Sequence, residues 1–193
     1  MKYLIVYAHP NPKSFCAGIL ERVESTIKAK GDEVVVRDLY TMNFNPILSG
    51  ADFLSFKNGG LAEDIKTEQD NIRSADVIVF IYPVWWTGLP AIMKGYVDRV
   101  ISYGFAYKYV ENGVEGLLPD KKVISFSTNG TPQDVYEKSG MFDSLNQTSD
   151  DGIFRFCGIQ VLGHHYFSGP GSVDDSARQK MLDEAEQAIR AIK

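Results

Sequence analysis

The chain has 193 residues, enough for one substantial core, and 44% of them are hydrophobic and 23% charged, the balance of a globular enzyme rather than a disordered or fibrous chain. A net charge of −5 without any cluster of Lys or Arg argues against nucleic acid as a partner. No stretch approaches the ~20 apolar residues of a membrane span, and the opening MKYLIVYAHP is too short and lacks the cleavage pattern of a signal peptide. The two cysteines, Cys16 and Cys157, are far apart and without metal-ligand spacing, which points to reduced, packed thiols and a cytoplasmic protein.

Lys2 to Tyr7 reads as a buried strand that ends in a proline-rich turn, AHPNP. Ser14 has the chemistry of an N-cap, and Gly18 to Lys30 carries helical spacing through Ile19, Val23 and Ile27. Glu33 to Arg37 is a β-branched strand. Asp38 to Asn58 is a long connection, a length that implies function or a short helix of its own. Leu61 to Ser74 reads as a helix and Val77 to Ile81 as a third strand. A turn is expected at Tyr82–Pro83, then the tryptophan pair Trp85–Trp86, a bend at Gly88, and a helix entered at Pro90 that runs from Ala91 to Tyr103. Phe105 to Pro119 is an aromatic excursion. Lys122 to Thr128 is a fourth strand, ending at Asn129–Gly130, and Phe142 to Cys157 has a polar helical pattern. Ile159 to Phe167 is a fifth strand, and Ser172 caps a last amphipathic helix reaching Ile192.

Strands alternating with helices predict an α/β fold: a doubly wound, five-stranded parallel sheet, flavodoxin-like in its strand order 2-1-3-4-5, with helices on both faces. No repeat or linker divides the chain, so residues 1–193 are read as one domain. In that order the switch point lies between the first and third strands, and the loops after them, AHPNPKSF and YPVWWTG, converge on the ligand crevice.

The first loop lacks the glycine patterns of dinucleotide and nucleoside-triphosphate sites. It ends at Ser14, where free N–H groups at a helix start favour an anion, and His9 adds a donor or a charge. Adjacent tryptophans are costly to leave in water, so they either pack under another loop or form a platform for a flat ring. The STNG turn at Ser127 to Gly130 offers backbone donors to the electron-rich edge of a redox ring, or is simply an Asn-Gly turn. Tyr103, Tyr107, Tyr109 and Tyr136 are candidate walls for a planar substrate. His164 and His165 follow a strand without metal-ligand partners, and no metal is expected.

These stretches together resemble the NAD(P)H:quinone oxidoreductase (DT-diaphorase-like) family of flavodoxin-like flavoenzymes. The resemblance spans nearly the whole chain. It rests on DLYTMNFNPILS (Asp38 to Ser49), YPVWWTGLPAIMKGYVDRV, GFAYKY, FCGIQVL (Phe156 to Leu162) and the pair Ala177–Arg178. It implies FAD as cofactor, with FMN the alternative, NAD(P)H as electron donor, and a quinone-like acceptor reduced by two electrons in ping-pong order. His9, Ser14 and Phe15, with the neighbouring Cys16, match the loop that holds the flavin phosphates. Pro83, Val84, Trp85, Trp86 and Thr87 match the loop along the ring, and Thr128, Asn129 and Gly130 match the turn at its pyrimidine end. Gln69 and Arg178 match contacts to the dinucleotide part of FAD. Tyr136 matches the active-site tyrosine, acting with the Gly130 backbone. Tyr107 and Tyr109 match residues lining the neighbouring subunit's substrate pocket, which implies a homodimer with shared sites. Asp98 and Arg99 match the segment a partner offers.

This chain also departs from the pattern. Phe142 stands where the best-known members have the histidine that works with the tyrosine, so Phe142 is counted with the substrate pocket. Trp85 replaces a glutamine, Thr87 a phenylalanine, and Asn129 a glycine. Two other readings remain open: an FMN-binding, flavodoxin-type electron carrier, and a soluble regulatory subunit of a potassium-efflux system, with a membrane transporter as partner.

Overall fold

A computed structural model describes residues 1–193, the side chain of Lys57 excepted. Its central sheet contains β1 (Lys2–Tyr7), β2 (Glu33–Asp38), β3 (Val77–Pro83), β6 (Lys122–Asn129) and β7 (Gln160–Ser168). All neighbours run parallel, in the order β2-β1-β3-β6-β7, which is 2-1-3-4-5 when only these five strands are numbered. A separate antiparallel ribbon pairs β4 (Tyr107–Val110) with β5 (Gly113–Gly116).

Burial follows from position. Every residue of β3, VIVFIYP, is buried, as a central strand covered on both faces requires. Its odd residues Val77, Val79 and Ile81 pack with Ile19, Val23 and Ile27 of α1 (Phe15–Ala29) and Ile189 of α7 (Asp175–Ala191). Its even residues Ile78, Phe80 and Tyr82 pack with Ile72 of α3 (Glu63–Ser74) and Met93, Tyr96 and Val100 of α4 (Ala91–Val100). The two clusters are the two hydrophobic faces of one sheet.

The long connection holds a short helix, α2 (Gly50–Lys57), started by a capping box between Ser49 and Asp52. It is drawn onto α4 at Gly95, where a Cβ would lie 2.2 Å from the Pro46 carbonyl oxygen, so only glycine admits the contact. Arg99 completes that junction. Its guanidinium, 4% exposed, reaches Asp52 at 3.1 Å, Asp64 at 2.5 Å and the Asn45 carbonyl at 2.9 Å.

Several boundaries differ from the sequence reading. No turn occurs at Tyr82–Pro83; β3 continues to Pro83. Pairing with β1 ends at Tyr7–Ile81, so the missing proline N–H falls where that neighbour has already stopped. Helix α4 ends at Val100, short of Tyr103. The last helix is capped by Asp174, whose carboxylate accepts from Ala177 N–H at 2.7 Å, and not by Ser172. An anionic cap also suits the positive end of the helix dipole. Residues 141–157 are helical in three forms: α6 (Met141–Asn146), a π-helical stretch (Gln147–Phe154) and a 3-10 turn (Arg155–Cys157). His164 and His165 lie within β7 rather than after it. Among the described residues no helix is long and apolar enough to cross a membrane.

Candidate active site

Among the cavities at the carboxyl ends of the strands, two lie side by side across the ends of β1, β3 and β6. The first has a volume of about 450 Å³ and is bounded by His9, Lys13, Ser14, Phe15, Cys16, Thr128 and Arg178, with Gly18, Pro170 and Gly171 completing it. Ser14 sits in extended backbone as the N-cap of α1, its hydroxyl accepting from Ala17 N–H at 3.2 Å. The first turn of α1 carries no acidic residue, so its positive end faces the cavity uncompensated. Burial pushes the Cys16 thiol up to about 11, and its sulfur lies 3.2 Å from Thr128 Oγ1; the thiol therefore stays neutral and does not repel an anion. Arg178 braces the loop after β7 through the Pro170 carbonyl, at 3.1 Å, and the Val173 carbonyl, and it also pairs with Asp175.

The second cavity, also about 450 Å³, is bounded by Val84, Trp85, Trp86, Thr87, Gly130, Thr131 and Tyr136. Trp85 and Gly88 exchange backbone hydrogen bonds of 3.2 Å in each direction, which makes Trp86–Thr87 a two-residue hairpin turn. Both turn residues have positive φ, 48° and 56°, without being glycine. That conformation is strained for a β-branched or bulky side chain, and strain of this kind collects at ligand-binding positions. The Trp86 side chain is 100% exposed.

His9 and Trp85 join the two cavities, their rings 5.9 Å apart edge to face. Burial holds the His9 pKa below 6.5, and its Nδ1 accepts from Asn11 N–H at 3.0 Å, which leaves Nε2 as a neutral donor. On the other side the junction is Thr128–Asn129, anchored by Val84 N–H to the Thr128 carbonyl at 2.7 Å. Asn129 donates to Ser168 Oγ at 3.1 Å, while its side-chain oxygen is buried without a partner. A buried acceptor with no donor is costly and marks a place where a ligand N–H is useful.

Most of the sequence-derived residues therefore meet in this double cavity. Pro83 is buried as the last residue of β3, next in the chain to Val84 of the second cavity. Phe142 forms the second layer behind Tyr136, with ring centroids 5.4 Å apart. Gln69 is elsewhere. It is 0% exposed on α3 and donates to the Val100 carbonyl at 3.0 Å and to Ser102 at 3.1 Å, so within one chain it does not reach the cavities. Tyr107 and Tyr109 also lie apart, on the β4–β5 ribbon. They pack with Tyr103 and with Phe156, whose ring is 5.2 Å from that of Tyr107, in an aromatic cluster that is largely exposed. Arg99, which the resemblance put in a segment offered to a partner, is spent inside its own chain; Asp98 is exposed and paired with Lys94. Two further residues belong here without a sequence signal of their own: Phe156, inside the FCGIQVL stretch, and Lys13, next to the capping Ser14. Among the described residues no group of three or more His, Cys, Asp and Glu is placed to hold a metal ion.

Comparison with known proteins places this geometry among relatives. The family described as having a flavodoxin-like fold matches residues 1–191. A Haemophilus influenzae protein named as an uncharacterised NAD(P)H oxidoreductase is 45% identical over 99% of this chain and 95% of its own length. Rat NAD(P)H dehydrogenase (quinone) 1 is 34% identical over 98% of this chain and 76% of its own. The solved structure of an NAD(P)H:quinone oxidoreductase from Methanothermobacter marburgensis superposes with a TM-score of 0.91 at 32% identity, covering 100% of this chain and 99% of that one.

Proposed function

The chain belongs to the flavodoxin-like-fold family, among the NAD(P)H quinone oxidoreductases, and on that premise we propose that its double cavity holds FAD, with NAD(P)H as electron donor and a quinone or similar planar compound as acceptor. The observation that carries the reading is the adjacency of the two cavities, whose linings meet where the His9 and Trp85 rings lie 5.9 Å apart. One has an anion-favouring helix start, Lys13 and Arg178; the other has a strained aromatic turn; His9 and Trp85 connect them. The cavity at the phosphate end, about 450 Å³, has room for more than a lone phosphate, as FAD requires. The unpartnered Asn129 oxygen suits the imide N–H of a flavin ring.

When bound, the flavin supplies reversible two-electron hydride chemistry between NAD(P)H and the acceptor, which use one place in turn. The protein's part is positioning and field. Ser14, Lys13 and the first-turn N–H groups of α1 hold the phosphates. Trp86 and Trp85 provide the face against which a flat ring rests. Gly130 and Tyr136 stand at the ring edge where negative charge gathers on reduction, as hydrogen-bond donors. With Phe142 behind it, Tyr136 acts without a histidine partner from that position. The largely exposed Tyr103–Tyr107–Tyr109–Phe156 cluster, which lines neither of its own chain's cavities, supports a homodimer in which it walls the neighbouring subunit's site. Two free, buried cysteines support a reducing, cytoplasmic setting.

Denaturing the purified protein and measuring the mass and absorption of the released small molecule tests this directly. FAD is expected. Release of FMN would contradict the dinucleotide assignment, and a colourless protein that takes up neither flavin would overturn the reading.

A further inference from the structure

One polar cluster is used by none of this chemistry. His164 of β7 and Asp150 of the π-helical stretch are buried together, their side chains 3% and 6% exposed, with Nδ1 3.2 Å from Asp150 Oδ1. The other ring nitrogen, Nε2, lies 3.2 Å from the Tyr82 hydroxyl and 3.1 Å from Ser127 Oγ. Tyr166 stacks on the imidazole at 4.0 Å, with its hydroxyl 3.0 Å from Nδ1 and donating to Asn146 at 2.9 Å. Ser149 donates to Asp150 at 3.2 Å. Carboxylate, imidazole and serine follow the order of a nucleophile triad, but Ser127 is 0% exposed and no substrate reaches it.

Position in the sheet suggests another role. Tyr82, Ser127 and Tyr166 are register partners across β3, β6 and β7, so they form one row of the sheet. The chain leaves that row through Pro83–Val84 into the tryptophan turn and through Thr128–Asn129 into Gly130, the two walls of the ring cavity. With Asp150 accepting from Nδ1–H, Nε2 is left as an acceptor that draws the β3 and β6 hydroxyls towards one atom.

We propose that His164 is a positioning residue: through Nε2 it ties the ends of β3 and β6 and thereby sets the gap between the two walls of the ring cavity. The proposal rests on the flavin reading of that cavity. It is independent of the phosphate end, which no member of the cluster lines.

The test uses the spatial correspondence of amides with imidazole. A glutamine amide can occupy the place of Nε2, and an asparagine amide the place of Nδ1. His164→Gln therefore keeps the tie and gives up Asp150, whereas His164→Asn keeps Asp150 and gives up the tie. Flavin-free protein is titrated with riboflavin, which has the ring and no phosphate, and separately with ADP, which has phosphates and no flavin ring. His164→Asn is expected to weaken riboflavin binding about tenfold, the worth of one buried hydrogen bond, while ADP stays within about twofold. His164→Gln should stay within about twofold of the parent for both ligands. Tyr82→Phe, nearly isosteric, should follow His164→Asn, and it decides the matter if the asparagine variant does not fold. Equal losses in Asn and Gln variants, equal losses of riboflavin and ADP, or an unaltered Tyr82→Phe would overturn the tie. A parent that binds ADP but neither riboflavin nor FAD would instead overturn the flavin reading, and the tie with it.

Discussion

Trp86 and Thr87 hold φ values of 48° and 56° in a turn for which glycine or asparagine is the usual choice. Thr87→Gly is therefore expected to raise the unfolding free energy by about 1 kcal/mol, since it removes a left-handed β-branched residue; destabilisation in a denaturant titration would mean that the turn is not strained. Trp86→Ala should leave stability nearly unchanged, because the side chain is fully exposed, and should lose roughly tenfold in flavin affinity, the worth of an aromatic stacking contact. Tyr136→Phe should slow flavin reduction by NAD(P)H by ~10²-fold or less while FAD affinity holds, since the Gly130 backbone remains as a donor; an unaltered rate in stopped-flow mixing would reduce Tyr136 to a wall. His9 adds a pH dependence. Burial holds its pKa below 6.5, so at acid pH the unfolded chain takes up the proton more readily, and stability is lost as pH falls below 6.5 towards the folded value. Because His9 is partly solvated the slope is shallow, and His9→Asn should flatten it.

Among the elements, the strands were the most legible. β1 and β3 are almost wholly apolar and buried, and period and burial agree along them. By contrast α5 (Gln133–Ser139) has no buried residue, so no hydrophobic period announced it. The β4–β5 ribbon turns at Glu111–Asn112, so the Asn112–Gly113 pair in the sequence straddles the start of β5, where Gly113 has a φ of 142°. Arg99 shows why contacts are harder to read than elements. It lies in an apolar helix segment, and its partners Asp52 and Asp64 come from α2 and α3, an arrangement that no local pattern encodes. Although burial of Asp52 opposes ionisation, the Arg99 guanidinium and the Ser49 N–H and hydroxyl hold its carboxyl below the usual range. Arg99→Leu leaves the Asp52 carboxylate buried without its cation and is expected to cost about 3 kcal/mol, read by chemical denaturation. A loss under about 1 kcal/mol would show that the connection stays seated without that pair.

For the whole molecule, the parallel sheet was legible because strands alternate with helices, and the five-strand order 2-1-3-4-5, one of the two common doubly wound orders, then located the cavities at its switch point. What the order did not disclose was which half of the site each residue serves. Gln69 matched a family contact yet packs inside, and Tyr107 and Tyr109 matched a pocket they do not line in their own chain. The exposed tyrosines are consistent with sites completed by a second copy, whereas Gln69, 0% exposed, is closed to one. Light scattering is expected to give twice the mass of the chain. Mixing Tyr107→Asp with Trp86→Ala subunits, at a flavin concentration too low to load the Trp86→Ala site, should restore part of the activity, because one site of each mixed dimer then carries neither change. Mixed dimers without activity would refute shared sites.

In the proposed reaction this chain passes a hydride from NAD(P)H to a quinone-like acceptor through a bound flavin. The most direct measurement is anaerobic stopped-flow mixing of the flavin-loaded protein, first with NAD(P)H and then with a quinone, followed by the visible flavin absorbance. The absorbance should bleach on the first mixing without any other protein present and return on the second. Flavin that stays oxidised with both NADH and NADPH would contradict the claim and leave an electron carrier in its place.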